Sequence, residues 1–178
     1  MDNRHSGLTA LELLITLSIV ILLIITGFPG LREYRMNQQL KSAASLLSAN
    51  LKLARNEAIS LNSHTIICPA ARDACTGQTD WQVGWLIFAD LNGDQQWQEQ
   101  EPVLRRVDGL GGIAAQSRSR TRVRFLPGGA APGSNSSIIL CDQRGLEKGI
   151  KVVISNSGRI RNSGLSDSDA GQCDPGRA

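Results

Sequence analysis

From Leu8 to Phe28 the chain reads LTALELLITLSIVILLIITGF, apolar with few interruptions. As a helix with 1.5 Å rise per residue, such a stretch spans a hydrocarbon core of about 30 Å, which takes roughly 20 residues. It predicts a membrane helix over residues 8–28, behind a short polar start, residues 1–7. The run is longer than the apolar region of a secretory signal peptide, and no A-x-A-like cleavage site closes it. After Pro29-Gly30 the period changes. Leu40, Ala44, Leu47, Leu51, Ala54, Ala58 and Leu61 recur at steps of four and three, one face of an amphipathic helix over residues 29–62. The stripe ends too soon for a free coiled coil, so a globular head has to cover it.

From residue 63 onward the helical period is gone. His64–Cys68, Val83–Ala89, Val103–Val107, Thr121–Leu126, Ser137–Cys141 and Lys151–Ile154 are short β-branched or aromatic runs, separated by Gly, Pro, Asn and Asp. Helix first and strands afterwards predicts an α+β protein: one long kinked N-terminal helix packed on a C-terminal β-sheet or small β-sandwich, residues 63–178. Pro127–Asn135 (PGGAAPGSN) is a loop by composition. The 178 residues suffice for one domain with a real core beyond the membrane stretch.

The net charge of +3 is small, but it is unevenly spread. From Asp73 to Glu101 there are six acids and no Lys or Arg; from Arg105 to Arg161 eleven bases face three acids, 11 − 3 = +8. The later half of the head carries the positive field. Cys68, Cys75, Cys141 and Cys173 show no C-x-x-C, and the only His beyond the polar start is His64, so no zinc set is expected. Two disulfides in an oxidising compartment fit better. Three pairings exist; Cys68 with Cys75, closing a short loop, and Cys141 with Cys173, tying down the tail, are favoured.

Glu12 is the anomaly in the apolar run, because a carboxylate near the end of a membrane helix is costly and normally has a partner or a function. Ser6-Gly7, then Leu8-Thr9-Ala10-Leu11-Glu12 and a long apolar helix, resembles the class III signal of type IV prepilins and pseudopilins. The resemblance implies cleavage between Gly7 and Leu8 by a prepilin peptidase, which also methylates the new N-terminus, with Leu8 standing where phenylalanine is usual. It also implies that Glu12, at the fifth mature position, is neutralised in the filament by the α-amino group of a neighbouring subunit. Pro29 matches the helix-kinking proline of these proteins. The implied place is the inner membrane, single-pass with a periplasmic head, and then a pilus on the cell surface.

Leu51–Ile59, Gly84–Asp94, Cys141-Asp-Gln-Arg-Gly145 and Ser157-Gly-Arg-Ile-Arg161 narrow the resemblance to the GspH/FimT group of minor pilins and pseudopilins. Gly158-Arg159-Ile160-Arg161 matches a G-R-x-R element that contacts DNA in the FimT-like branch, which implies DNA contact by Arg159 and Arg161. Arg118, Arg120, Arg122 and Arg124 alternate with Ser119, Thr121 and Val123; if extended, all four project from one face, about 6.6 Å apart, as a row that could follow phosphates or merely a solvated strand face. Lys148 and Lys151 would extend the patch. No base-reading motif is visible, so binding would go to phosphates and fall with salt.

Asp90-Leu-Asn-Gly-Asp94 with Glu101 has the oxygen spacing of a calcium loop, but Gln95 stands where that loop needs glycine. An Asn92-Gly93 turn joining two strands is the better expectation. There is no G-x-S-x-G, P-loop or histidine pair, so neither catalysis nor a cofactor is expected. The expectation is a minor type IV pilin that binds DNA for uptake in natural transformation. The alternative is a structural minor pilin or pseudopilin that primes or caps a pilus or a type II secretion pseudopilus through other pilin subunits alone.

Overall fold

The computed structural model describes residues 9–71, 74–166, 169 and 173, without the side chains of residues 26–29 and 146. Gly7 and Leu8, the expected processing pair, and Asp73, Asp167 and Asp174 lie outside the described residues. The chain divides into two compact units, Met1–Gln38 and Gln39–Ala178, so the division falls inside the amphipathic stretch.

Helix α1 (Ala10–Ser60) contributes to both units. Its start is capped by Thr9, whose Oγ1 accepts the Glu12 N–H at 3.3 Å while its carbonyl accepts the Leu13 N–H at 3.2 Å. Thr9-Ala10-Leu11-Glu12 thus has the order of a capping box, with the acid in the first turn where the helix dipole favours it. In the first unit the apolar side chains from Leu11 to Ile25 are about half exposed or more. Among the described residues no single helix is long and apolar enough to cross a membrane. The bent pair Ala10–Ile25 and Gly30–Ser60 passes by length and composition together.

In the second unit the predicted stripe is the buried face. Leu40, Ala44, Leu47, Leu51, Ala54 and Ala58 are all at most 2 % exposed, and Ala43 joins them. Leu61 departs from the expectation at 48 % exposed, because α1 has already ended. Asn62 takes a left-handed φ of 47°, and the Asn62 and Ser63 N–H groups donate to the Ile59 and Ala58 carbonyls, which is a Schellman closure.

The stripe packs on two antiparallel sheets. The first contains β1 (His64–Ala71), β2 (Ala74–Cys75), β3 (Gly84–Asp90), β4 (Val103–Asp108) and β6 (Val123–Phe125). Its order is β2-β1-β3-β4, with β6 also pairing β1. The second, β5-β7-β8-β9, contains β5 (Ala114–Ser117), β7 (Ser136–Cys141), β8 (Ile150–Ile154) and β9 (Ile160–Gly164). One core joins α1 to both: Ile67, Trp85, Ile87, Val123 and Phe125 from the first sheet, Ala115, Ile138, Leu140, Val152 and Ile154 from the second. A smaller cluster, Ile66, Cys68, Ala70, Leu86 and Phe88, covers the other face of the first sheet beneath Trp97. That explains why β3 is buried at every position.

Both favoured disulfides form. Cys68–Cys75 joins β1 to β2, and Cys141–Cys173 ties the tail to β7.

Candidate nucleic-acid interface

Arg159 and Arg161 belong to the β8–β9 hairpin. Ser155 and Arg159 face each other, the Ser155 N–H donating to the Arg159 carbonyl at 3.0 Å, and the loop between them is Asn156-Ser157-Gly158. A three-residue hairpin loop needs a left-handed last residue, and Gly158 supplies it with φ 77°. A Cβ at Gly158 would also collide with the Gly129 carbonyl oxygen and stand 3.0 Å from Arg55 Nε. The glycine of the motif is therefore required by the hairpin itself.

The loop tip is held from outside. The Arg55 Nε on α1 donates to the Gly129 carbonyl at 2.9 Å, the Ala131 N–H donates to the Asn156 carbonyl at 2.9 Å, and Asn156 Oδ1 accepts the Asn135 N–H at 3.1 Å. The Gly- and Pro-rich segment 127–135 is thus a clamp between helix and hairpin.

Register assigns the faces of the second sheet. Ile160 pairs with the buried Ile154 and packs on the core, and Asn162 pairs with the buried Val152 and accepts a hydrogen bond from Ser48 of α1. Arg161, opposite Val153, therefore points away from the core, as does Ser163 opposite Lys151. Arg159 and Arg161 are both exposed, and among the described residues no hydrogen bond or ion pair engages either guanidinium. Arg159 precedes the strand and Arg161 lies within it, on the edge of the sheet.

The other cations are disposed differently. Lys151 Nζ lies 2.6 Å from Asp169 Oδ2, both side chains largely buried, so the lysine enters the face already neutralised. Asp169 Oδ2 also accepts from the Ser166 N–H and hydroxyl at 2.9 and 2.8 Å. These bonds, that from Lys151 foremost, hold the Asp169 carboxyl down at about 2, against an ordinary 3.8. Arg144 is bidentate on Asp142, with Nη2 to Oδ2 at 2.6 Å and Nε to Oδ1 at 3.0 Å, which lowers the Asp142 carboxyl. Lys148 is exposed in the short 3-10 turn Leu146–Lys148.

The expected row of Arg118, Arg120, Arg122 and Arg124 does not exist as one strand face. The chain bends after Ser117, whose hydroxyl donates to the Arg120 carbonyl, and only Val123–Phe125 is extended. Arg118 and Arg120 flank that bend, while the Arg122 Nη1 donates to the Gln95 carbonyl of the acidic loop. Arg124 lies opposite Ile66 on the first sheet. The bend was not legible from alternation, because Ser and Thr between the arginines satisfy a strand pattern and a turn pattern equally.

The acidic loop also differs from the expected tight turn. Residues 91–102 join β3 to β4, and their amides are met by the two buried carboxylates at their ends. Asp90 accepts the Gly93 and Gln95 N–H groups at 2.8 and 3.2 Å, and Glu101 those of Leu91 and Gln98 at 3.0 and 3.1 Å. Trp97 closes the loop, with Nε1 donating to the Glu101 carbonyl and Arg106 lying 5.5 Å over its ring.

Sequence reasoning missed the part played by Arg55 and Gly129. Asp169 was legible only as one of three tail acids, with Asp167 and Asp174, that could shield the cationic face unless Cys173 drew the tail away; it pairs with Lys151.

Two crystal structures of the type IV minor pilin FimU of Pseudomonas aeruginosa PAO1, in different crystal forms, resemble the chain. One has a TM-score of 0.59 at 27% identity, covering 73% of this chain and 92% of that one; the other has 0.57 at 28%, covering 70% and 92%. No curated protein matches the sequence. The family model described as type II transport protein GspH matches residues 43–158, nearly two thirds of the chain, and stops just short of Arg159. The chain belongs to the GspH family of type IV minor pilins and pseudopilins.

Proposed function

We propose that this minor pilin binds DNA through its phosphates, without regard to sequence, and serves DNA uptake in natural transformation. The observation that carries the reading is the pair Arg159 and Arg161, exposed and unengaged among the described residues on a clamped hairpin. Guanidinium groups are fork-shaped donors matched to phosphate oxygens. Lys148 adds charge nearby in sequence, and Arg118, Arg120, Arg122 and Arg124 contribute to the general field rather than to a row. The resemblance to the FimT-like branch stated above supports the assignment; the matched family segment, ending at residue 158, does not bear on it.

The exposed apolar helix in the first unit supports anchoring in the inner membrane before assembly, and burial among other pilin subunits afterwards. Cleavage and methylation at Gly7 and Leu8 by a prepilin peptidase belong to the same reading. In the filament Glu12 pairs with a neighbour's α-amino group, because an unpaired carboxylate buried there would be strongly destabilising. Glu12→Ala then inserts into membranes normally but is missing from sheared pili on immunoblots; its normal incorporation would refute the pairing.

The test of DNA binding is a mobility shift of duplex DNA at low salt with the full-length chain in detergent. Arg159→Gln with Arg161→Gln should abolish the shift and leave the near-UV circular dichroism unchanged. Equal shifts by both proteins would end the assignment. A second reading is favoured by the likeness to FimU: a purely structural minor pilin, or a pseudopilin, that primes or caps the filament through other subunits. Loss of piliation or secretion in the double variant, without any DNA shift by the wild type, would decide for it.

A further inference from the structure

Beside Arg161 the outward face of β7, β8 and β9 holds an open groove of about 340 Å³, lined among others by Asn135, Ser137, Lys151, Val153, Arg161 and Ser163. Register fixes its plan. Ser137, Val153 and Arg161 form one row across three strands, and Lys151 and Ser163 are neighbours in the next. With strands about 4.8 Å apart, Ser137 and Arg161 stand roughly 10 Å apart at their Cα atoms, with Val153 as the floor between them. Among the described residues nothing engages the Ser137 or Ser163 hydroxyls or the Arg161 guanidinium. No aromatic ring lines the groove, so no base can stack there.

We infer that this groove seats one phosphodiester group together with the sugar oxygens that flank it, and that Asp169 withholds Lys151 from it. Arg161 is the charged donor to the phosphate; the Ser137 and Ser163 hydroxyls, too far apart to meet on one phosphate, are neutral donors to the phosphate and the flanking oxygens. The inference rests on the DNA-binding reading and adds to it the ligand group, two residues and a limit. One net positive charge in the groove matches one phosphate monoanion. Lys151 would supply a second, but its ammonium is 2.6 Å from Asp169 and that carboxylate is bonded in turn to Ser166. A polar seat without a stacking platform reads the backbone of single- and double-stranded DNA alike.

The test is the salt dependence of duplex DNA binding by the full-length chain in detergent, where each phosphate neutralised contributes about 0.9 to the slope of log K against log salt. Ser137→Ala with Ser163→Ala should weaken binding at least about tenfold while leaving the slope unchanged, because hydroxyls release no counterions. Ser137→Thr with Ser163→Thr, which keeps the hydroxyls, should restore most of the affinity. Arg161→Gln should flatten the slope by about 0.9; Asp169→Asn should steepen it by about 0.9, and adding Lys151→Gln to that variant should reverse the gain. Retained affinity in the serine-to-alanine pair, or an Asp169→Asn slope equal to wild type, overturns the inference even if the Arg159 and Arg161 double variant has lost all binding. No binding by the wild type overturns both this inference and the reading beneath it.

Discussion

Arg55 on the helix and Gly129 in the clamp loop are joined by a 2.9 Å hydrogen bond, and that same carbonyl occupies the space a side chain at position 158 would need. Gly158→Ala must therefore move backbone as well as adopt a left-handed φ, which alone costs about 1 kcal/mol. The expected loss is roughly 2–4 kcal/mol, or a Tm lower by about 5–10 °C. Arg55→Ala removes one partner of a half-buried bond and should cost only about 1 kcal/mol. Thermal unfolding followed by Trp fluorescence separates the two. A Gly158→Ala protein as stable as wild type would mean that the hairpin is not held as described.

The helix was legible down to its buried positions because a 3.6-residue period survives any partner, and Leu40 to Ala58 carry it without a break. Leu61 was misread because the period does not report that Asn62 stops the helix. Six strands were legible from β-branched runs, with bounds shifted by at most three residues, the largest shift being at the end of β1. Strand β5 was not, since Ala114-Ala-Gln-Ser117 has no strand propensity and is extended only because Ala115 is pressed into the core. At the candidate site Arg159, Ile160 and Arg161 follow from alternation and from the Asn-Ser-Gly turn before them. The ion pair of Lys151 with Asp169 does not, as it joins residues 18 positions apart whose pairing no spacing or alternation announces.

The two disulfides should contribute unequally. Cys141–Cys173 spans 32 residues and Cys68–Cys75 only 7, so the chain-entropy term is about 3.7 kcal/mol for the first and about 2.4 kcal/mol for the second. Cys141→Ser with Cys173→Ser should therefore lower the urea midpoint more than Cys68→Ser with Cys75→Ser. Cys68 and Cys75 also lie in the small outer cluster, so their paired replacement by Ala is the fairer comparison there. A larger loss from the short loop would put packing ahead of chain entropy.

The carboxylates of the acidic loop are already committed. Asp90 and Glu101 are 1 % and 6 % exposed, and each accepts two backbone amides. Glu101→Ala strands two amides and should cost about 1–3 kcal/mol. It should also raise hydrogen exchange at Leu91 and Gln98 while leaving the amides of β7 and β8 protected. Calcium requires six to eight oxygens, so millimolar calcium should leave the Tm of the wild type unchanged. A Tm raised by calcium would show that the loop reorganises around a cation.

The pH dependence of stability should carry the signature of Asp169. Its carboxyl is held near 2 in the folded protein against 3.8 in the open chain, chiefly by Lys151 and then by Ser166. A depressed folded value means that the unfolded chain takes up the proton first as pH falls. The contribution is therefore complete above about pH 4 and is lost between about pH 4 and pH 2. Asp169→Asn cannot make it, so the stability gap between wild type and variant should be constant from neutral pH to about 5 and close as pH approaches 2. Asp142, lowered through Arg144, is present in both proteins and makes both less stable in acid without affecting the gap. Urea unfolding at stepped pH, read by the buried Trp81 and Trp85, measures it directly. A gap that persists at pH 2 would mean that Asp169 stabilises the tail by packing rather than by its charge.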